Sequence, residues 1–419
     1  SLCQHYSHVL VVLNVGGVID TTFLRNQHGI DAILLMGQAG SSGGDALADV
    51  LSGKISPCGH LTTTWAEQYE DYPSADTFGY INGNRDDEYY KEGIYVGYRW
   101  FETFYPENVL YPFGFGLSYT DFEMNCVSKH GTENGFEFEV SVQNTGSQHS
   151  GKEVVQIYLE KPCAKLGNPS RILAGFAKTA LLAPGETQTV SVFVPMERLS
   201  SYDDSGKTGF KSAYIIESGE YGFYIGSDVR DAKAVYTYKQ AETVVFEQLS
   251  ETAAPKNSFD VFAAAEQNGN KIIVKQPVNT ATTRLKDIIL TNLPKSVDYS
   301  GDRGYKLSDV KSGKVSMKNF VAQLDLDELE AITRGGYIMG HPLGAAGNAG
   351  IYGGVLPSLR EKGIPAVTTT DGPSGIRLQS SCSLIPIGTL LACTYDEGLV
   401  EALYEKVGEE MKDRGSDVL

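Results

Sequence analysis

The sequence has no apolar run long enough to cross a membrane, for which a helix needs about 20 such residues. It shows no basic segment followed by an apolar stretch at its start, so no signal peptide is visible and a cytoplasmic location is expected. Cysteine is sparse: Cys3, Cys58, Cys126, Cys163, Cys382 and Cys393 are the six in 419 residues, and none stands in C-x-x-C. Such scatter is not a disulfide framework, and the six read as reduced thiols. No N-x-[ST] sequon has a permitted middle residue. Positive charge is also short, with 35 Lys and Arg against 52 Asp and Glu, for a net charge of −17. That balance argues against nucleic acid and anionic membrane surfaces as partners, and it is indifferent to a neutral ligand.

Metal and nucleotide signatures are missing as well. The seven histidines make no H-E-x-x-H or other metal spacing, and Asp86-Asp-Glu88 lacks the glycine and spacing of an EF-hand. Neither G-x-x-x-x-G-K-[ST] nor G-x-G-x-x-G is found, although Gly37, Gly40 and Gly43 share one loop. No metal and no cofactor is therefore expected. What remains is an ordinary globular composition, 41% hydrophobic and 21% charged, long enough for two or three domains.

The pattern along the chain changes three times. Residues 9–13 and 32–36 are apolar runs of the kind found in parallel strands covered on both faces, and a helix starts at Asp45, so residues 1–121 read as part of an α/β sandwich. Residues 122–240 alternate in short stretches, such as 136–143 and 153–159, with turn signals such as Leu181-Leu-Ala-Pro-Gly-Glu186 between them. That is the signature of a small antiparallel β-sandwich. Residues 241–320 are the least readable and are expected to be a connector with short strands, one at 271–275. From 321 a capping box (Asp325 with Glu328) opens a helix that Gly335-Gly336 stops. A glycine-rich segment, a strand ending at Asp371 and a helix over 396–414 follow, which is how a (β/α)8 TIM-like barrel starts. A further strand begins at Asp417 as the sequence stops, so the chain reads as a partial copy of a longer protein.

Asp371-Gly-Pro-Ser-Gly-Ile-Arg377 places a carboxylate at the tip of a short apolar strand, with a turn and a guanidinium directly after it. Two readings stand. Asp371 can cap its own turn by accepting backbone N–H groups, as Asp often does before Gly and Pro. A carboxylate at a strand's C-terminal end can equally line a polar ligand site. Elsewhere Gly40-Ser-Ser-Gly-Gly44 fits the G-x-S-x-G elbow of a serine hydrolase with Ser42 as nucleophile. Its base would have to be His60, His130 or His149, and the last two fall inside the sandwich. The aromatic group Tyr89, Tyr90, Tyr95, Tyr98, Trp100 and Phe101 can pack a sheet or stack on sugar rings.

Taken with Gly363-Ile-Pro-Ala-Val before it, the Asp371 to Arg377 motif resembles the first barrel strand of glycoside hydrolase family 3. Residues 29–65, Glu70-Asp71-Tyr72-Pro73, residues 89–101 and Tyr111-Pro-Phe-Gly-Phe-Gly-Leu-Ser-Tyr119 resemble that family's second domain. Val140-Ser-Val-Gln-Asn-Thr-Gly146, Gly151-Lys-Glu-Val-Val-Gln-Ile-Tyr158 and Leu173-Ala-Gly-Phe176 resemble its accompanying fibronectin type III-like domain. The usual order places the barrel first; here it comes last, as in a permuted subset of the family. The resemblance implies a retaining exo-acting β-glucosidase acting on terminal β-linked glucose, with a β-xylosidase or another exo-glycosidase as the alternative. A non-catalytic carbohydrate-binding protein is the alternative of another class. It implies that Asp371 binds sugar hydroxyls and that Arg377 lies beside it. The nucleophile Asp is expected after Leu419 and the acid/base Glu before Ser1, so no catalytic residue is assigned in this chain. The partners implied are a small saccharide and the remaining part of the same enzyme, which can be a second chain.

Overall fold

The structure, a computed structural model, describes residues 2–80 and 83–419. The chain divides into two compact units, one holding residues 1–37, 44–288 and 389–396, the other 38–43, 289–388 and 397–419.

In the larger unit, the apolar runs near the start form the strands Leu10–Leu13 and Ala32–Leu35. They pair in parallel from Leu10 opposite Ala32 to Leu13 opposite Leu35, with a short helix Thr22–Arg25 in the crossover. Leu13, Leu24 and Trp65 close a small core over this pair.

The expected sandwich is present as two antiparallel sheets. One has three strands, Phe122–Thr132, Gly135–Asn144 and Thr187–Pro195, in that order. The other has four, ordered Lys233–Gln240, Gly219–Gly226, Val154–Glu160 and Ile172–Lys178. Phe138, Val140, Val155, Ile157 and Phe223 meet between the sheets and are fully buried.

One strand departs from its expected alternation. Val154 to Leu159 are all buried, not every second residue. Val155, Ile157 and Leu159 face the sandwich core. On the other face Tyr158 packs with Phe113, Val229 and Ala232, and Tyr98 stacks on Phe113 at 4.3 Å. Tyr98 and Phe113 from before the sandwich, with its own loop residues Val229 and Ala232, thus cover the back of the four-stranded sheet, and a strand buried on both faces loses its two-residue period.

The aromatic group at 89–101 packs on a helix rather than within a sheet. Trp100 and Phe101 lie on the helix Tyr98–Phe104 and are buried with Tyr95, whereas Tyr90 is exposed. Their cover comes from the region expected to be a connector. There the strands Asp260–Gln267 and Asn270–Pro277 form a hairpin, and Phe262, Ala264 and Ile273 pack on the Tyr95, Trp100 and Phe101 core. Its turn is Asn268-Gly269, both at positive φ (53° and 79°), the conformation that two-residue hairpins prefer.

In the smaller unit the capping box forms as read. Asp325 accepts from Glu328 N at 2.9 Å, and Glu328 Oε2 accepts from Asp325 N at 3.2 Å, opening the helix Leu326–Arg334. Gly335 ends it at φ 67°. The other Glu328 oxygen takes Lys362 Nζ at 2.7 Å in a buried pair, with Asp302 3.2 Å from the same ammonium. Burial pulls Lys362 down, and the two carboxylates more than offset it, so its pKa lies above the ordinary value.

The barrel expectation meets a mixed arrangement. Successive barrel strands pair in parallel. Here Gly350–Gly353 and Ala366–Thr369 run antiparallel. Parallel pairing is carried by a bridge between Thr369 and Val418, after the helix Glu397–Arg414. The link between the antiparallel strands is a short helix, Pro357–Glu361, that doubles the chain back.

Lys161 supplies a test of the sandwich. Its ammonium is buried and donates to Ser200 O and, at 3.1 Å, to Ser201 Oγ. Burial, aided by the Arg99 and Arg198 charges, pulls its pKa down to about 7. An unfolded lysine titrates near about 10.4. Between those values the unfolded chain binds more protons, so Lys161 makes stability rise with pH. The urea-unfolding free energy of the wild type minus that of Lys161→Met should grow from about pH 7 to about pH 10. A flat difference over that window would show that the ammonium is not desolvated in the fold.

Candidate functional site

The strand Ala366–Thr369 delivers Thr370 and Asp371 to a turn whose two ends pair, Asp371 with Arg377. The turn's bonds run through backbone and one hydroxyl. Arg377 N donates to Asp371 O at 2.8 Å. Thr370 Oγ1 lies 3.0 Å from Asp371 O and 2.9 Å from Arg377 O, and Arg377 N approaches it at 3.3 Å. Thr370 is buried; Asp371 and Arg377 are exposed.

Two glycines are obligatory here. A Cβ at Gly375, which sits at φ 106°, would stand 2.2 Å from Ser383 O. A Cβ at Gly372 would stand 2.0 Å from Gly375 O. The neighbouring glycine-rich segment is stitched to the same turn: Gln379 N donates to Ala346 O at 2.9 Å and Ala349 N to Thr369 O at 2.9 Å. Asn348, fully buried, braces that segment by donating to His341 O (2.9 Å) and Ala345 O (2.7 Å) while accepting from His341 N (3.1 Å).

Among the described residues the Asp371 carboxylate makes no hydrogen bond or ion pair, and neither does the Arg377 guanidinium. The two side chains therefore do not hold each other. Asp203 shows what a carboxylate committed to its own turn looks like. Its Oδ1 accepts from the N–H groups of Ser205, Gly206 and Lys207, and its Oδ2 from Thr208 N and Oγ1, both at 2.7 Å. Burial pushes that carboxyl up, and the hydrogen bonds from Thr208, Gly206 and Ser205 outweigh it, holding it below the usual range. Asp371 has none of these bonds, so its four lone-pair directions face solvent, available to a ligand's hydroxyls.

The serine-hydrolase alternative finds little support in its own residues. Ser42 lies exposed at a turn where Gly40, at φ 75°, is forced by Leu384 O, 2.5 Å from where a Cβ would stand. Both nitrogens of His60 are already engaged, Nδ1 by Gly114 O at 2.6 Å and Nε2 by Glu153 Oε1 at 2.9 Å. His130 pairs with Glu137, and the His149 ring lies tilted against Tyr119 at 5.8 Å. Among the described residues no group of three His, Cys, Asp or Glu is placed to hold a metal.

Comparison with known proteins agrees with the arrangement. Residues 1–98 match the glycosyl hydrolase family 3 C-terminal domain, and residues 153–229 match the fibronectin type III-like domain. A β-glucosidase of Ruminococcus albus is 42% identical over 99% of this chain and 43% of its own length. The first 98 residues thus carry the glycosyl hydrolase family 3 C-terminal domain. The solved β-glucosidase of Paenibacillus barengoltzii superposes with a TM-score of 0.95 at 43% identity, covering 100% of this chain and 46% of that one. β-Glucosidase 3B of Thermotoga neapolitana, solved with α-D-glucose, matches 58% of this chain and 32% of its own at TM-score 0.52 and 35% identity. The chain thus spans less than half the length of each of these relatives.

Sequence reasoning missed Thr370 and Asn348. Thr370 hid in the run Thr368-Thr-Thr370, which reads as plain β-propensity, yet its place beside a D-G-P turn was the available signal. Asn348, between glycines in a polar loop, carried none. If the hydroxyl of Thr370 holds the turn and the carboxylate of Asp371 does not, the two should separate in urea. Thr370→Val should cost about 1–3 kcal/mol, the usual penalty for stripping a buried partner. Asp371→Asn should leave the midpoint unchanged. Destabilisation by Asp371→Asn as large as that by Thr370→Val would return Asp371 to a capping role.

Proposed function

We propose that this chain is part of a retaining exo-β-glucosidase and that Asp371 grips the terminal glucose. The observation that carries the reading is the unspent carboxylate at the end of the strand Ala366–Thr369. Its two oxygens can accept from two adjacent hydroxyls of one sugar ring, and hydrogen bonds to an ionised acceptor are the stronger kind. Arg377, exposed at the other end of the same turn, stands ready to touch the sugar. Glucose as ligand is favoured by the Thermotoga complex and by the β-glucosidase names of the relatives.

In this reading residues 1–121 are part of an α/β sandwich, 122–240 a fibronectin type III-like sandwich, 241–320 a connector, and 321–419 the first part of a (β/α)8 barrel. The order is permuted, with the barrel last. The match of the family's C-terminal domain to the first 98 residues supports that order. The parallel Thr369–Val418 bridge after the helix Glu397–Arg414 is the first barrel crossover. The nucleophile and acid/base lie outside these 419 residues, in the remaining part of the enzyme. Tyr337, Ile338 and Met339, 75%, 60% and 68% exposed in one run, fit a surface that this remainder covers. The chemistry would be double displacement between two carboxyl groups, with no metal or cofactor.

Asp371→Ala in the complete enzyme should lower kcat/KM for an aryl β-glucoside by about 100-fold or more, the equivalent of two charge-assisted hydrogen bonds. Steady-state kinetics on folded protein checks it. Near-normal kcat/KM would remove Asp371 from the sugar site, and turnover by the 419-residue chain alone would place the catalytic carboxylates within it.

A further inference from the structure

The larger unit contains a cavity of about 1,150 Å³ that nothing above explains. One wall comes from the segment 69–76 and the helix end at Tyr105, the other from the start of the hairpin, Phe259 to Phe262, with Ile273 and Lys275 across from it. Its framework is fixed. Trp100, buried, donates from Nε1 to Asp71 O at 3.2 Å. The Asp71 carboxylate is spent on Asn108 Nδ2 (2.7 Å) and Gln68 N (3.0 Å). The hairpin is pinned by Phe262 N on Lys91 O at 2.8 Å and Ala264 N on Tyr95 Oη at 2.9 Å.

Within this frame the lining is of two kinds. Tyr69 and Tyr105 are 47% and 37% exposed, and half-buried Tyr89 meets Phe259 edge to face at 5.2 Å. The lining also holds Glu70, Asp260 and Lys275, whose side chains make no hydrogen bond or ion pair among the described residues. Asp76 is paired with Lys91 at 3.3 Å. Four lining carboxylates (Glu70, Asp71, Asp76 and Asp260) against two lysines (Lys91 and Lys275) would repel a phosphate. Aromatic rings together with free carboxylates and phenol hydroxyls suit a ligand with apolar C–H faces and hydroxyl edges.

We propose that this groove binds a neutral glycan chain, as a saccharide site separate from that of Asp371. It rests on the glycosidase reading for its purpose, holding a polymer whose ends are trimmed, but not for the binding itself.

Affinity gel electrophoresis of the 419-residue protein in soluble mixed-linkage β-1,3;1,4-glucan tests the proposal. The wild type should be retarded. Tyr69→Ala and Asp260→Ala, both surface changes checked by circular dichroism, should each weaken the apparent affinity at least fivefold. Asp371→Ala should still be retarded, because its groove is intact. No retardation of the wild type would overturn the proposal. Loss of retardation in Asp371→Ala with retention in the groove variants would also overturn it, because the binding would belong to the other site. So would groove-dependent binding of oligolysine without glucan binding, which would make the groove a cationic-peptide site. If the complete protein proves inactive on glucosides while the groove variants lose glucan, the groove stands and the glycosidase reading falls.

Discussion

A single buried hydroxyl decides what Asp371 is free to do. A strand that ends in Asp, Gly and Pro must satisfy the polar groups of a tight turn, and the nearest carboxylate is the usual means. Thr370 serves the turn instead: its Oγ1 accepts from Arg377 N at 3.3 Å and lies within hydrogen-bonding distance of the carbonyls at both ends. The carboxylate next to it is left exposed on a turn whose Gly372 and Gly375 have no room for a side chain. A charged acceptor with no internal partner can give its full hydrogen-bonding capacity to a ligand.

The larger unit is tied together by a different device. The strand Val154–Glu160 belongs to two cores at once, the sandwich interior on one face and the Phe113 and Tyr158 cluster on the other. The sandwich therefore cannot be treated as an appendage to the α/β segment before it. The His60 ring, between Gly114 O and Glu153 Oε1, lies across the same junction.

Much of this was legible in the residues. The parallel pair at the start, the sandwich strands and the capping box at Asp325 follow from periodicity and from short-range side-chain chemistry, which are local properties. What was not legible depended on distant partners. The alternation expected at 153–159 vanished because Tyr98 and Phe113, with the loop residues Val229 and Ala232, cover the second face of that sheet. The aromatic cluster at 95–104 took its cover from a hairpin some 160 residues later in the chain (Ala264 N bonds Tyr95 Oη at a separation of 169). That hairpin had a readable turn, Asn268-Gly269, between two strands with apolar centres. At the candidate site the motif identified the carboxylate, but the fold alone shows that its oxygens are unspent and that Arg377 does not pair with it.

The central claim is most directly tested by a crystal structure of the complete enzyme with glucose. The account predicts both Asp371 carboxylate oxygens within hydrogen-bonding distance of adjacent glucose hydroxyls, with Thr370 Oγ1 still between the carbonyls of Asp371 and Arg377. A carboxylate turned back onto the N–H groups of its own turn, with the sugar held by other residues, would contradict it.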